Sequence, residues 1–195
     1  MSKYELDEKK NNRIEQGDIY KNIEYIENVE IDKQTNEVEI SKIVFPYVIV
    51  LSQDCDLQQS SIYFSSDNIP EDQDKQLLSI IVAPLYNEEL FLSGEHLADD
   101  TISFKMQSIT KEKKGKLTTP YRNLINNETP RYHHISFAEG TKLTNMVIDF
   151  KHFFTINISY LYKCRHNLFV CKLKPLYREL ITQRYANFLS RIGLP

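Results

Sequence analysis

Phe45-Pro46-Tyr47-Val48-Ile49-Val50-Leu51 (FPYVIVL) is the most strongly strand-forming run in the chain, apolar throughout and rich in β-branched residues. A continuous apolar run of this length predicts a central strand buried on both faces. Pro46 fits near its beginning, where a missing N–H donor disturbs pairing least. Upstream, Glu24 to Ile31 sets Tyr25, Val29 and Ile31 between acids, Asp32 to Asn36 reads as a turn, and Val38-Glu39-Ile40 starts the return. That pattern predicts a half-buried hairpin feeding the central strand. Downstream, Leu77 to Leu85 (LLSIIVAPL) predicts a second buried strand, and the polar stretch Gln58 to Lys75 reads as an excursion loop between the two.

The remainder alternates. Asn87 to Leu97 predicts a short helix and Thr101 to Ile109 an irregular or strand segment. Lys111, Lys113, Lys114 and Lys116 surround Gly115, as in an exposed basic hairpin tip. Tyr132 to Phe137 and Val147 to Phe150 are candidate strands, and Phe153 to Tyr162 continues with apolar residues. Pro175 suits the first turn of a helix, and Gly193 before Leu194-Pro195 suits its stop. Between them Tyr177, Ile181, Tyr185, Phe188 and Ile192 recur every three or four residues, with Leu180 and Leu189 alongside and Arg178, Arg184 and Arg191 off the stripe. The expected fold is α+β: a bent antiparallel sheet or SH3-like barrel with a middle insertion, closed by the C-terminal amphipathic helix. Residues 1–12 read as a mobile N-terminal segment and residues 13–195 as a single domain.

Composition narrows the class of protein. A chain of 195 residues, 41% hydrophobic, buries roughly 70% of its unfolded surface without a disulfide or metal staple. No run approaches the ~20 apolar residues of a membrane span, and the charged start MSKYELDEKKNNR lacks the apolar core of a signal peptide. Three cysteines at irregular spacing (Cys55, Cys164, Cys171) match neither a secreted disulfide framework nor a zinc pattern, so a reducing cytoplasm is expected. Net charge is −3, but residues 1–100 carry −14 and residues 101–195 carry +11. Such asymmetry points either to a polyanion-binding face in the second half or to two halves that neutralise one another.

Several chemistries lack their signatures. There is no glycine-rich phosphate loop, GxSxG elbow, HExxH or dinucleotide fingerprint, and with 5 glycines no backbone phosphate cradle is expected. No cofactor is expected. Ser52-Gln53-Asp54-Cys55-Asp56-Leu57 follows directly from the central strand, where a functional loop would be held rigidly. Cys55 would act as a nucleophile if His133 or His134 lowered its pKa, although the flanking Asp54 and Asp56 disfavour the thiolate. The aspartates could instead serve an acidic or metal role, and the plain alternative is a turn in which Asp56 caps backbone amides. His133 and His134, adjacent in a strand, should point to opposite faces and so not share a metal. Cys164, His166 and Cys171 lack a fourth ligand, so no metal site is expected, and Asp149 with His152 is compatible with chemistry without requiring it. For nucleic acid the candidates are Lys111, Lys113, Lys114, Lys116, Arg122, Arg131, Arg165 and Lys172, with Tyr121 or Tyr132 for stacking.

Two resemblances bear on these readings. Gln16-Gly17-Asp18-Ile19-Tyr20, followed after two strands by Pro46-Tyr47-Val48-Ile49-Val50-Leu51-Ser52, resembles the opening of PemK/MazF-like toxins over about the first quarter of the chain. That resemblance implies an SH3-like barrel of a kind that cuts RNA without a metal. In that family an arginine precedes the matching proline and serves catalysis, whereas this chain has Phe45, so the cleavage activity does not carry over. Val50 to Leu57 (VLSQDCDL) with Arg184 to Pro195 (RYANFLSRIGLP) is similar to a family of uncharacterised bacterial proteins of like length, which implies the domain bounds and no activity. The leading expectation is a nucleic-acid-binding module, RNA-directed and toxin-like. The alternatives are a non-catalytic subunit docking on a larger protein of a phage-defence or mobile-element system, and a hydrolase centred on Cys55 and Asp56. Whether the chain is an enzyme, and its oligomeric state, stay open at this stage.

Overall fold

The central strand forms where its sequence demands. In the computed structural model, which describes residues 4–65, 69–98, 103–138 and 140–191, it is the C-terminal half of β3 (Val38–Val50). β3 lies between β2 (Asp18–Ile31) and β4 (Ser79–Asn87), antiparallel to both. Val48 and Val50 belong to one core and Ile49 and Leu51 to a second on the other face, so the strand is buried on both sides. Pro46 sits in the middle of β3 rather than at its start. Register places it opposite Asn22, whose φ is 53°. This local break lets Tyr20 and Ile23, three apart, enter the same core with Val48 and Phe45, where a regular pleat would send them to opposite faces.

All eight strands of the main sheet pair antiparallel. The order is β1 (Leu6–Asp7), β12 (Phe169–Leu173), β2, β3, β4, β10 (Met146–Asp149) and β9 (Tyr132–Ile135), with β11 (Phe154–Asn157) also on β4. β10 and β11 are in effect one partner of β4, interrupted by a 3₁₀ turn at Phe150–His152 that inserts three residues into the register. The sheet curls into a half-barrel, and its two edges come together. Tyr4, just before β1, bridges Phe137, just after β9, and its N–H donates to the Ser136 carbonyl at 2.8 Å. The N-terminal segment, expected to be mobile, therefore contributes an edge strand and this closing contact. Tyr4 is buried, and its hydroxyl meets His133 Nε2 at 2.7 Å.

Helices cover both faces. α5 (Pro175–Leu189) lays Tyr177, Ile181, Tyr185 and Phe188 on the second core, as its periodicity predicts. The expected stop at Gly193 to Pro195, and Ile192, lie outside the described residues. The first core is covered by α1 (Asp54–Ser65), α2 (Glu88–Ser93), α3 (Thr119–Ile125) and α4 (Ile158–Leu168), through Leu57, Phe91, Leu124 and Leu161. One of these corrects the sequence reading and another adds to it. The segment read as an excursion loop from Gln58 begins inside α1, whose inward positions are Leu57, Ser60 and Tyr63. Ser60 Oγ accepts from Leu77 N at 3.1 Å and the Tyr63 hydroxyl donates to the Asp72 carbonyl at 2.9 Å, so a polar pair hides the apolar stripe. α4 follows β11 within the apolar stretch Phe153 to Tyr162, to which the sequence reading assigns no element; Asn157 caps it (Tyr160 N to Oδ1, 3.1 Å) and its third inward residue is Arg165.

The middle insertion carries two small hairpins, β5 (Leu97–Ala98) with β6 (Ser103–Phe104) and β7 (Glu112–Lys113) with β8 (Lys116–Leu117). Lys114 (φ 53°) and Gly115 (φ 71°) form the tight turn of the second, as the left-handed pair of a two-residue hairpin loop requires. No helix among the described residues is long and apolar enough to cross a membrane.

Candidate functional site

The insertion meets the β9 edge in a groove of about 1030 Å³. One wall is Gln107 to Thr110, Lys113 and the start of α3 (Thr118 to Pro120, Asn123), and the other is Thr129, Arg131 and Tyr132, with Phe91 and His96 between. Among the described residues lining it two are cations, several offer hydroxyls or amides, and none is a carboxylate.

The insertion is fastened by a network behind this wall. Glu88, buried at the head of α2, accepts from the Tyr121 hydroxyl at 2.8 Å and Asn145 Nδ2 at 2.9 Å, with His134 Nε2 3.5 Å away. The His134 side chain, then Asn145 and Tyr121, hold its carboxyl down to about 2 against the opposing effect of burial. Lys111 pairs with Glu89 at 2.5 Å and lies 5.7 Å from the Tyr121 ring centre. Thr118 caps α3 through Tyr121 N at 3.3 Å, and Asn127 exchanges two hydrogen bonds with the His134 backbone (2.6 and 3.1 Å). These contacts join α2, α3 and β9 into one support, which is what a binding wall needs in order to keep its shape.

Behind Arg131 lies the interruption between β10 and β11. Asp149, fully buried, takes Arg131 in a bidentate pair (Nε to Oδ1 2.8 Å, Nη2 to Oδ2 2.5 Å), and Arg131 lies 5.0 Å from the Tyr132 ring centre. Irregularities of this kind re-aim side chains next to functional sites, and here the turn places His152 Nδ1 3.0 Å from the Tyr86 hydroxyl and 3.5 Å from Asp149. His96 packs on Phe91 and Tyr86 at 4.7 and 4.5 Å between ring centres. Burial, then His152, lowers its pKa to about 4, so between the walls it stands as neutral imidazole at pH 7. Burial likewise lowers His152, against the opposing pull of Asp149.

The candidates named from sequence separate into groups. Lys113, Lys114, Lys116 and Arg122 stand exposed on the hairpin and α3, the three lysines without a carboxylate partner among the described residues. Lys111 and Arg131 flank the groove but carry Glu89 and Asp149. Arg165 and Lys172 are elsewhere and engaged. Arg165 donates to the Asn11 and Asn12 carbonyls (3.0 and 2.6 Å), and Lys172 binds Glu15 at 2.7 Å, so both hold the N-terminal segment.

Cys55 is exposed at the start of α1, its Sγ 3.6 Å from Gln53 Oε1 and from Asp56 Oδ1, with no hydrogen bond to a histidine among the described residues. His133 and His134 do face opposite ways, one to Tyr4 and one to Glu88. Asp54 is bound twice by Arg13 (3.0 and 2.8 Å) and once by Gln16 N (3.2 Å). Among the described residues no group of three His, Cys, Asp or Glu side chains is placed to hold a metal ion. His96, Phe91 and the polar run Gln107 to Thr110 were not singled out from sequence. They carry no spacing signal, because the insertion folds back to bring them to Arg131.

No protein-family model matches the chain, and no curated protein matches it.

Proposed function

We propose that this chain binds single-stranded nucleic acid, RNA in the first place, along the groove between the basic hairpin and Arg131-Tyr132. One observation carries the reading: a large groove with cations at both walls, an aromatic and hydroxyl lining, and no acidic residue among those described, in a chain whose net charge is −3. Phosphates are held by cations and backbone-like donors, while bases stack on aromatic faces without sequence preference. Tyr132, with Arg131 over its ring, supplies such a face. Lys113, Lys114 and Lys116 supply mobile charge at the rim, and Asp149 keeps Arg131 rigid rather than free to reach. Binding, not cleavage, is the activity proposed. Phe45, at the position where the toxin-like pattern has its arginine, is buried and stacks on Phe154 at 5.1 Å. The three free cysteines fit a reducing compartment.

The test is fluorescence anisotropy with a labelled twelve-nucleotide RNA, its DNA counterpart and a duplex, at low and physiological salt. Reversing Lys113, Lys114 and Lys116 to glutamate should weaken RNA binding at least tenfold and reduce the salt slope by about 2, at ~0.7 per phosphate contact on single strands. The melting temperature should not move, since all three are exposed. Unchanged binding by that variant would sink the proposal.

A further inference from the structure

The β2–β3 hairpin outruns the sheet. β12 reaches β2 only as far as Tyr20, and β4 meets β3 only from Val48, so residues 21–47 form a two-stranded ribbon without a third strand. Its register assigns the faces. Val29 pairs with Ile40, Ile31 with Val38, Ile26 with Lys42 and Glu24 with Val44, and paired residues share a face. The shift at Glu27 keeps Ile26 on the side of Val29 and Ile31. The opposite face begins with Tyr25 and Ile43, which pack on the body (Tyr25 on Phe154 at 5.2 Å), and continues with Asn28, Ser41, Glu30 and Glu39.

The first face is therefore an aliphatic stripe of Ile26, Val29, Ile31, Val38, Ile40 and Val44, each between 42% and 62% exposed. An isolated two-stranded ribbon is marginal in water, and an apolar face of this kind normally lies against something.

We infer that the stripe is the contact surface for a second copy of this chain, the two ribbons packing face to face about a two-fold axis. Charge favours a copy over a foreign partner. Along the stripe itself, residues 24–44, the ionised side chains on this face are Glu24 and Lys42, already joined at 2.7 Å, so this stretch is neutral and meets its own image without repulsion. The acids Glu30 and Glu39 point the other way. Area favours it too: six half-exposed aliphatic side chains offer on the order of 500 Å², so two copies remove about 1,000 Å², near the lower bound of a specific interface. Identical ribbons share one twist, so they stack in the aligned manner of sheets in a sandwich.

Sedimentation velocity on the full chain from micromolar to 100 µM tests this, with two variants. The expected result is a concentration-dependent dimer. Ile40→Lys should weaken it at least thirtyfold, and the strand-compatible pair Val29→Thr with Ile40→Thr about tenfold. Circular dichroism of both variants should match the parent, and so should the thermal melts at a concentration where the parent is monomeric. A parent that stays monomeric at 100 µM, or a dimer of equal affinity in the folded variants, overturns the inference. Neither result depends on nucleic acid, so it stands or falls apart from the groove.

Discussion

Two regions of this molecule gather charge, and they differ in whether the charges close on one another. At the corner where β2 begins and α1 starts, Arg13 binds Asp54 and Glu15, Lys172 binds Glu15, and Arg178 lies 3.6 Å from Asp54. At the groove rim, Lys113, Lys114 and Lys116 find no such partners among the described residues. The first arrangement ties chain segments together and the second leaves charge for a ligand. The stretches that look like motifs, Gln16-Gly17-Asp18 and Ser52 to Leu57, belong to the first. Gln16 reaches Thr182 at 2.8 Å, and Ser52 Oγ accepts from Ile81 N at 2.8 Å.

Gly17 gives the largest expected effect. Its N–H donates to the Val50 carbonyl and its carbonyl accepts from Leu173 N, so it links β3 to β12 at φ 81°. A Cβ there would lie 2.6 Å from Arg178 Cβ, which cannot swing aside as a side-chain tip can. Gly17→Ala should cost about 3 kcal/mol, combining left-handed strain with overpacking, measured by urea unfolding. A loss under ~1 kcal/mol would show that the corner is not the rigid joint described.

Asp54→Ala comes next. Removing one member of a buried ion pair strands the other, at about 3–5 kcal/mol. Here the pair is partly exposed and Glu15 still faces Arg13, so about 2 kcal/mol is expected. RNA affinity of the folded variant should be unchanged, the reverse of the lysine reversal. If Asp54→Ala instead abolished binding while leaving stability intact, the roles of the two regions would be exchanged.

Legibility in the sequence follows the same division. FPYVIVL, the pairing of the hairpin before it and the stripe of α5 are readable because one periodicity decides each, but the half-buried face expected of the hairpin is not found: the shift at Glu27 puts Tyr25 on the opposite side from Val29 and Ile31, which are exposed. α1 and α4 are not, since Ser60, Tyr63 and Arg165 take inward positions and satisfy themselves by hydrogen bonds that no apolar pattern reports. Of the site, the lysine hairpin is legible from its turn chemistry. On the opposite wall Arg131 and Tyr132 are legible as residues but not in their place: they and Thr129 line one groove with Gln107 and Thr110 only through a long-range fold-back, and Arg165 and Lys172 look like equal candidates until their carbonyl and carboxylate partners are seen. The −14 and +11 halves are likewise ambiguous in one dimension, and several pairs do cross between them, Lys172 with Glu15 and Lys111 with Glu89 among them.

The smallest effect is a slope. Asp18 is buried at the closed corner, accepting from Glu15 N at 2.9 Å and the Tyr20 hydroxyl at 3.0 Å. Burial raises its pKa to about 7, opposed by the Glu15 amide and Tyr20 hydrogen bonds. A folded pKa above the unfolded value means the folded state binds the proton more tightly. The associated stability is complete below the unfolded pKa and is lost as pH rises through about 7. Asp18→Asn keeps an acceptor for both donors and removes the titration. Between about pH 6 and pH 8 the parent should therefore lose on the order of 1 kcal/mol relative to the variant. Glu15, held below its ordinary value with burial offset by Lys172 and Asn11, stays ionised throughout that window and does not contribute. Urea unfolding of both proteins across the window reads the difference directly. A constant gap would mean that Asp18 is ionised at both ends, so that the corner's three carboxylates balance Arg13, Lys172 and Arg178 and burial does not raise the Asp18 pKa into this window.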